Sequence, residues 1–208
     1  MTEKIKTGTT CIGLLFKDGV ILAADKRVTS YKIDSEAFTK TFELTDNIVS
    51  TVSGGAADAQ LFMRIVQSEL KLLSLKNERP AKVKEAAMIL NSIQYSSIRS
   101  QGSIVGLILG GYDNTGFTLY NLTPDGTIVP NPGYVTNGSG SVFVQGVLDS
   151  QYEENMSEEE SLKLLEKSFR VSFKNDNASG GGFVAKIITK EGIKTYKTKL
   201  NEVQFIKE

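Results

Sequence analysis

The chain has 208 residues, enough for one medium domain around a single core rather than two full domains. It is 40% hydrophobic and 23% charged, and its 24 basic residues balance 24 acidic ones, so nothing in the charge points to a nucleic-acid or polybasic membrane partner. It contains no histidine and one cysteine, Cys11, which excludes an intramolecular disulfide, every Ser-His or Cys-His catalytic pair within the chain, and any zinc site other than one built from Cys11 or carboxylates.

Met1 to Gly8 is short and polar, without the apolar core of a secretory signal, and no apolar run approaches the roughly 20 residues that a membrane span needs. With cysteine usage that fits a reducing compartment, this predicts a cytoplasmic protein. Cys11 to Phe16 and Val20 to Ala24 are apolar runs joined by Lys17-Asp18-Gly19, a hairpin signal. A second β zone runs from Thr41 to Val52, interrupted at Thr45-Asp46-Asn47 and broken by Gly54-Gly55. Helical spacing begins at Ala57, with Phe62, Ile65, Val66, Glu69 and Leu73, and predicts a long helix ending near Lys76-Asn77. Pro80 is the expected first residue of a second helix carrying Val83, Ala86, Ala87, Leu90 and Ile93.

Ile104 to Leu109 is again apolar and continuous, and Phe117 to Leu122 is its answering strand across Asp113-Asn114-Thr115-Gly116. Pro124-Asp125-Gly126 is a further turn. After Gly138-Ser139-Gly140-Ser141 a short helix runs through Val144, Val147 and Leu148, and Ser157 with Glu160 forms a capping box that opens a helix with Leu162, Leu165 and Phe169. Asn177 to Gly182 is a glycine-rich break, and Phe183 to Thr189 pairs with Ile193 to Lys197 around Lys190-Glu191-Gly192. The order is strands, two helices, strands, two helices, strands. Hairpins dominate and the helices come in pairs, which predicts an α+β, four-layer αββα sandwich of two antiparallel sheets between helix pairs.

The chemistry starts at Thr7-Gly8-Thr9-Thr10. By itself this string reads as a loop before a strand. Read as a self-processing junction, it would expose Thr9 as a new N-terminus, with its own α-amine close to its hydroxyl. A free α-amine titrates near about 7.7–8.0, so a good fraction is neutral at cytoplasmic pH and can take the hydroxyl proton directly or through a water. That would supply a base to a chain without histidine.

The wider pattern resembles the proteasome β subunits of archaeal type. Thr9-Thr10-Cys11-Ile12-Gly13 and Lys17-Asp18-Gly19-Val20 through Val28-Thr29 are similar to the start of their mature chains. The likeness continues at Lys40-Thr41-Phe42, Ser53-Gly54-Gly55-Ala56-Ala57-Asp58-Ala59-Gln60 and Gly110-Gly111-Tyr112-Asp113. It recurs at Asn137 to Ser141, at Gly146 to Tyr152 and at Asp176-Asn177-Ala178-Ser179-Gly180-Gly181, in the family's order and over nearly the whole chain after residue 8.

The resemblance implies a fold of the N-terminal nucleophile hydrolase type and assigns roles. Thr9 is the nucleophile, Asp25 orients a lysine, and Lys40 is that lysine, a buried cation that favours the ionised hydroxyl. Gly54 offers its backbone N–H to the developing oxyanion. Ser139, Asp176 and Ser179 support the threonine amine. Val28, Val52 and Ala56 line the substrate pocket, small and apolar, which implies cleavage after hydrophobic residues. Met1 to Gly8 is a propeptide that Thr9 removes at the Gly8 carbonyl, and residues 9–208 are the subunit domain. An ungapped count would put Thr41 in the lysine's place. A one-residue gap in Ser30 to Thr39 puts Lys40 there and brings Gly54 and Asp58 into register.

The expected partners are further β subunits in a seven-membered ring, α subunits, a regulatory ATPase unfoldase and unfolded protein substrates, with no cofactor and no metal. Three other readings stand beside the enzyme. The first is a non-catalytic β subunit of the same particle. The second is another hydrolase with an N-terminal nucleophile, such as a bacterial two-ring protease subunit or a small amidase. The third is an α-type ring subunit, against which the short leader before the first strand argues.

Overall fold

A computed structural model describes residues 8–29, 33–35, 38–102 and 104–198. β1 (Cys11–Phe16) and β2 (Gly19–Asp25) form the hairpin that Asp18-Gly19 predicts, in register from Cys11 opposite Ala24 to Phe16 opposite Gly19. Two short strands, β3 (Val28–Thr29) and β4 (Ile33–Ser35), pair with each other. β5 (Thr41–Thr45) and β6 (Ile48–Gly54) form the next hairpin, and α1 (Ala56–Asn77) and α2 (Val83–Gln101) follow.

Pro80 is not the first residue of α2, as the sequence predicts. The helix begins at Val83, because the acceptors for its free N–H groups lie there. Val83 N–H donates to Asp113 Oδ2 at 2.8 Å and Lys82 N–H to Glu85 Oε2 at 2.8 Å, with Glu85 clamped by the Arg79 guanidinium.

β7 (Val105–Asp113) and β8 (Gly116–Leu122) match the expected pair. β9 (Ile128–Pro130) and β10 (Tyr134–Asn137) do not appear in the sequence reading. Both are edge strands of opposite sheets, where proline is tolerated because one side makes no ladder bonds. α3 (Ser141–Gln151) and α4 (Glu158–Asn175) follow, the latter opened by the Ser157–Glu160 capping box and closed at Asp176. β11 (Phe183–Thr189) and β12 (Gly192–Lys197) are the last of the described strands.

The strands form two five-stranded antiparallel sheets, ordered β10-β1-β2-β11-β12 and β5-β6-β7-β8-β9. Alternation along each strand sorts side chains into layers. On β2, Ile21 and Ala23 face α3 and α4, whereas Val20, Leu22 and Ala24 face the other sheet. On β7, Leu107 and Leu109 pack under α1 and α2, and Ile108 meets the first sheet. Four layers result, as the order of elements predicts. The sheets approach closely at Gly13, where a Cβ would lie 2.8 Å from both Ile108 Cγ2 and Leu119 Cδ1.

The topology gathers one end of both sheets. The start of β1, the end of β2 and the end of β10 lie together in the first sheet, since Cys11 pairs with both Ala24 and Asn137. The start of β5 and the end of β6 lie together in the second, since Thr41 pairs with Thr51. The residues singled out from the sequence fall on these ends and on the loops beside them.

Candidate active site

Asp25 ends β2 and is fully buried. Its Oδ1 accepts from Thr10 N–H at 3.0 Å and from Lys40 Nζ at 2.7 Å. Its Oδ2 accepts from Arg27 N–H and Gly180 N–H, each at 3.1 Å. Burial pushes the carboxyl above its ordinary value, while the charge of Lys40, its hydrogen bond and the backbone donors pull it back.

Lys40 lies just before β5 and is 5% exposed. Its Nζ donates to Asp25 Oδ1, to Thr9 Oγ1 at 2.9 Å and to the Gly8 carbonyl at 3.3 Å. An ammonium has three N–H groups, and all are used. Lys40, not Thr41, is therefore the residue brought to Thr9; the Thr41 hydroxyl is buried without a partner among the described residues.

The Thr9 hydroxyl donates to the Gly8 carbonyl oxygen at 2.6 Å. Cys11 is the other nucleophilic side chain nearby. Burial pushes its thiol up to about 12, against the opposing pull of Lys40, and its Sγ donates to the Val52 carbonyl at 3.3 Å. A thiol held in that form is a poor nucleophile.

Behind Thr9 lies a second carboxylate. Thr9 N–H donates to Ser139 Oγ at 3.2 Å, and Ser139 donates to Asp176 Oδ2 at 2.6 Å. Ser179 donates to the same oxygen at 2.7 Å, and Ala178 N–H to Asp176 Oδ1 at 3.1 Å. The turn that carries Ser139 packs backbone to backbone on Thr9: Gly140 N–H donates to the Thr9 carbonyl at 3.2 Å, and Gly138, at φ +90°, lies against that carbonyl.

Gly54 ends β6 opposite Val105, with φ +108°. Two residues earlier, Val52 accepts from Cys11 and donates its N–H to the Lys40 carbonyl at 3.0 Å, which ties this strand end to the neighbours of Thr9. A Cβ at Gly54 would collide with the Ile104 carbonyl oxygen, and the positive φ disfavours any L side chain. Gly54→Ala is expected to destabilise the fold by about 1–3 kcal/mol through backbone strain and to lower peptide hydrolysis by more than tenfold. Thermal unfolding beside a peptide assay checks both.

A family model described as "Proteasome subunit" matches residues 5–188. The chain belongs to the proteasome subunit family. Among its relatives, "Proteasome subunit beta" of Methanobrevibacter smithii is 33% identical over 205 residues, 98% of this chain and 98% of that one. Those of Methanocorpusculum labreanum and Methanocaldococcus vulcanius are 36% and 37% identical, each over 190 residues, covering 91% and 90% of this chain and 89% and 84% of theirs. The chain is thus a β subunit of archaeal type, and its two antiparallel sheets between helix pairs fit that family.

The expected pocket residues differ in burial. Val28 is half-buried, whereas Val52 belongs to the core layer beneath α1 and α2. The side chain of Ala56, and residues 1–7 of the expected leader, lie outside the described residues. Two residues in the network escape the sequence reading. The Thr10 hydroxyl lies 2.5 Å from Ser172 Oγ and 2.8 Å from Ser179 Oγ. A signal for Ser172 does exist: it sits on the buried face of α4 with Leu165, Phe169 and Ser168, where a serine needs a partner. Among the described residues no helix is long and apolar enough to cross a membrane, and no acidic, cysteine or histidine cluster could hold a metal ion.

Proposed function

We propose that this chain is the catalytic β subunit of an archaeal-type proteasome core, a threonine endopeptidase that hydrolyses peptide bonds of unfolded proteins with Thr9 after cutting the Gly8–Thr9 bond itself. One observation carries the reading: in a chain without histidine, the Thr9 hydroxyl meets a buried lysine at 2.9 Å that is paired to a buried aspartate at 2.7 Å.

Processing comes first. The Thr9 Oγ attacks the Gly8 carbonyl carbon, the C–N bond breaks, and the hydroxyl proton ends on the Thr9 nitrogen, leaving an ester. Water hydrolyses the ester, releasing the Gly8 carboxylate and freeing the amine and hydroxyl of Thr9. Lys40 Nζ, 3.3 Å from the Gly8 oxygen, is placed to stabilise the charge that develops there. Residues 1–8 are thus a propeptide and the unprocessed chain a zymogen.

In turnover the freed amine, held by Ser139, accepts the hydroxyl proton as Oγ attacks the substrate carbonyl. Lys40 favours the ionised oxygen, Asp25 orients Lys40, and the Gly54 N–H binds the oxyanion, a contact worth about 10²–10³ in rate. Asp176 and Ser179 anchor Ser139. No step calls for a cofactor or metal. The subunit works in the cytoplasm, in a ring of seven β subunits with α subunits alongside, and an ATPase unfoldase feeds it unfolded chains.

Mass spectrometry of the β chain from a particle assembled with its α subunits tests the reading. The expected N-terminus is Thr9, and a chain still beginning at Met1 would make this a structural subunit. Val28, Val52 and Ala56 are the pocket residues in this reading. Fluorogenic peptides with hydrophobic, basic and acidic residues before the scissile bond are expected to be cleaved fastest in the hydrophobic case, and equal turnover of the three would defeat that preference.

A further inference from the structure

We infer that Thr10 and Ser172 are positioning residues for the amine of Thr9, acting through a one-way relay of hydroxyls that ends on Asp176. The inference rests on the catalytic reading above and adds residues to it.

Counting protons fixes the direction of the relay. A serine or threonine hydroxyl has one hydrogen to give, and an ionised carboxylate only accepts. Ser139 and Ser179 both lie within 2.7 Å of Asp176 Oδ2, so each gives it its hydrogen. Ser179 can then only accept in its 2.8 Å contact with Thr10, and Thr10 must donate. Thr10 has no hydrogen left for its 2.5 Å contact with Ser172, so Ser172 donates. Ser139, its hydrogen also spent, can only accept from the Thr9 nitrogen. Two chains of donors therefore converge on one oxygen, from Ser172 through Thr10 and Ser179, and from Thr9 through Ser139.

The chain from Ser172 to Asp176 is shielded from water: Ser172 and Thr10 are 0% exposed, Ser179 1% and Asp176 9%, whereas Ser139 lies at the surface. The fold keeps space for them, because a Cβ at Gly140 would collide with both Thr10 Oγ1 and Ser172 Oγ. Thr10 also joins the two halves of the site. Its N–H donates to Asp25 Oδ1 at 3.0 Å, while its side chain reaches Asp176 through Ser179.

Hydrogen bonds in such a chain polarise one another. Without the Thr10 hydroxyl, Ser179 is a weaker donor and Asp176 keeps more of its negative charge. Ser139 then becomes a stronger acceptor, and the amine of Thr9 holds its proton more tightly. Less of the amine is neutral at a given pH.

The test compares processed particles of wild type, Thr10→Val and Thr10→Ser in peptide hydrolysis across pH. Thr10→Val, nearly isosteric, is expected to lower kcat roughly tenfold, the effect of one buried hydrogen bond, with KM unchanged. The acid limb of its pH profile is expected at higher pH, and Thr10→Ser should restore both. A loss expressed in KM, an unshifted limb, or a serine variant that behaves like valine would overturn the relay. Should Thr10→Val fail to assemble, Ser172→Ala gives the same readout with a smaller shift in the same direction, and no shift there overturns it as well. A wild-type particle without Thr9-dependent hydrolysis sinks the catalytic reading and the relay together, whereas an active wild type with unshifted variants sinks the relay alone.

Discussion

Thr9→Ala is expected to abolish both leader removal and peptide hydrolysis. The substitution takes away the hydroxyl that lies 2.6 Å from the Gly8 oxygen and 2.9 Å from Lys40 Nζ, the one group that could open the Gly8 carbonyl from within the chain. With Gly8 still attached, the nitrogen of residue 9 remains an amide, so the variant lacks nucleophile and base together. Removing a nucleophile that works as part of a unit costs on the order of 10⁶ in kcat, which brings hydrolysis to background. The fold should survive, because the β1–β2 register and the layers around it do not use the hydroxyl. Thr9→Ser keeps the hydroxyl and is expected to process and cut. Mass spectrometry and a peptide assay on particles containing only this β subunit decide the matter, and any hydrolysis above background in the alanine particle contradicts the role given to Thr9.

Local pattern made much of the fold readable. Asp18-Gly19 between apolar runs gives the first hairpin, and Ser157 with Glu160 gives the start of α4, because both signals act within a few residues. β9 and β10 hide behind Pro130, Pro132 and Gly133, since their pairing lies at the sheet edges and leaves little trace in composition. The start of α2 depends on Asp113, thirty positions away, which no local rule reaches. The candidate site is harder still. Lys40 meets Asp25 across 15 positions and Ser139 meets Thr9 across 130, and no spacing rule predicts either. They entered through family resemblance, whereas Thr10, inside that resemblance but given no role by it, and Ser172, outside it, took their places only as buried hydroxyls in contact.

The second large effect concerns Asp25 and Lys40. Lys40→Met leaves the Asp25 carboxylate buried with its backbone donors but without its counter-charge, and this is expected to destabilise the subunit by about 3–5 kcal/mol at neutral pH and to abolish processing. The sign of the pH dependence follows from burial. Already in the wild type the folded chain holds this proton more tightly than the unfolded chain, whose carboxyl stays near 3.8. The stability this group contributes is therefore complete below 3.8 and is lost as pH rises through the raised folded value. Without Lys40 the folded value rises further, so the variant should recover stability on acidification more steeply than the wild type. Adding Asp25→Asn removes the lone charge: the double variant should be more stable than Lys40→Met at neutral pH, nearly flat with pH, and equally inactive. Thermal unfolding from neutral to mildly acidic pH checks this. A Lys40→Met loss that ignores pH, or that deepens when Asp25→Asn is added, would refute it. The buried charge of Asp25 thus detracts from stability at neutral pH, and Lys40 offsets part of that loss.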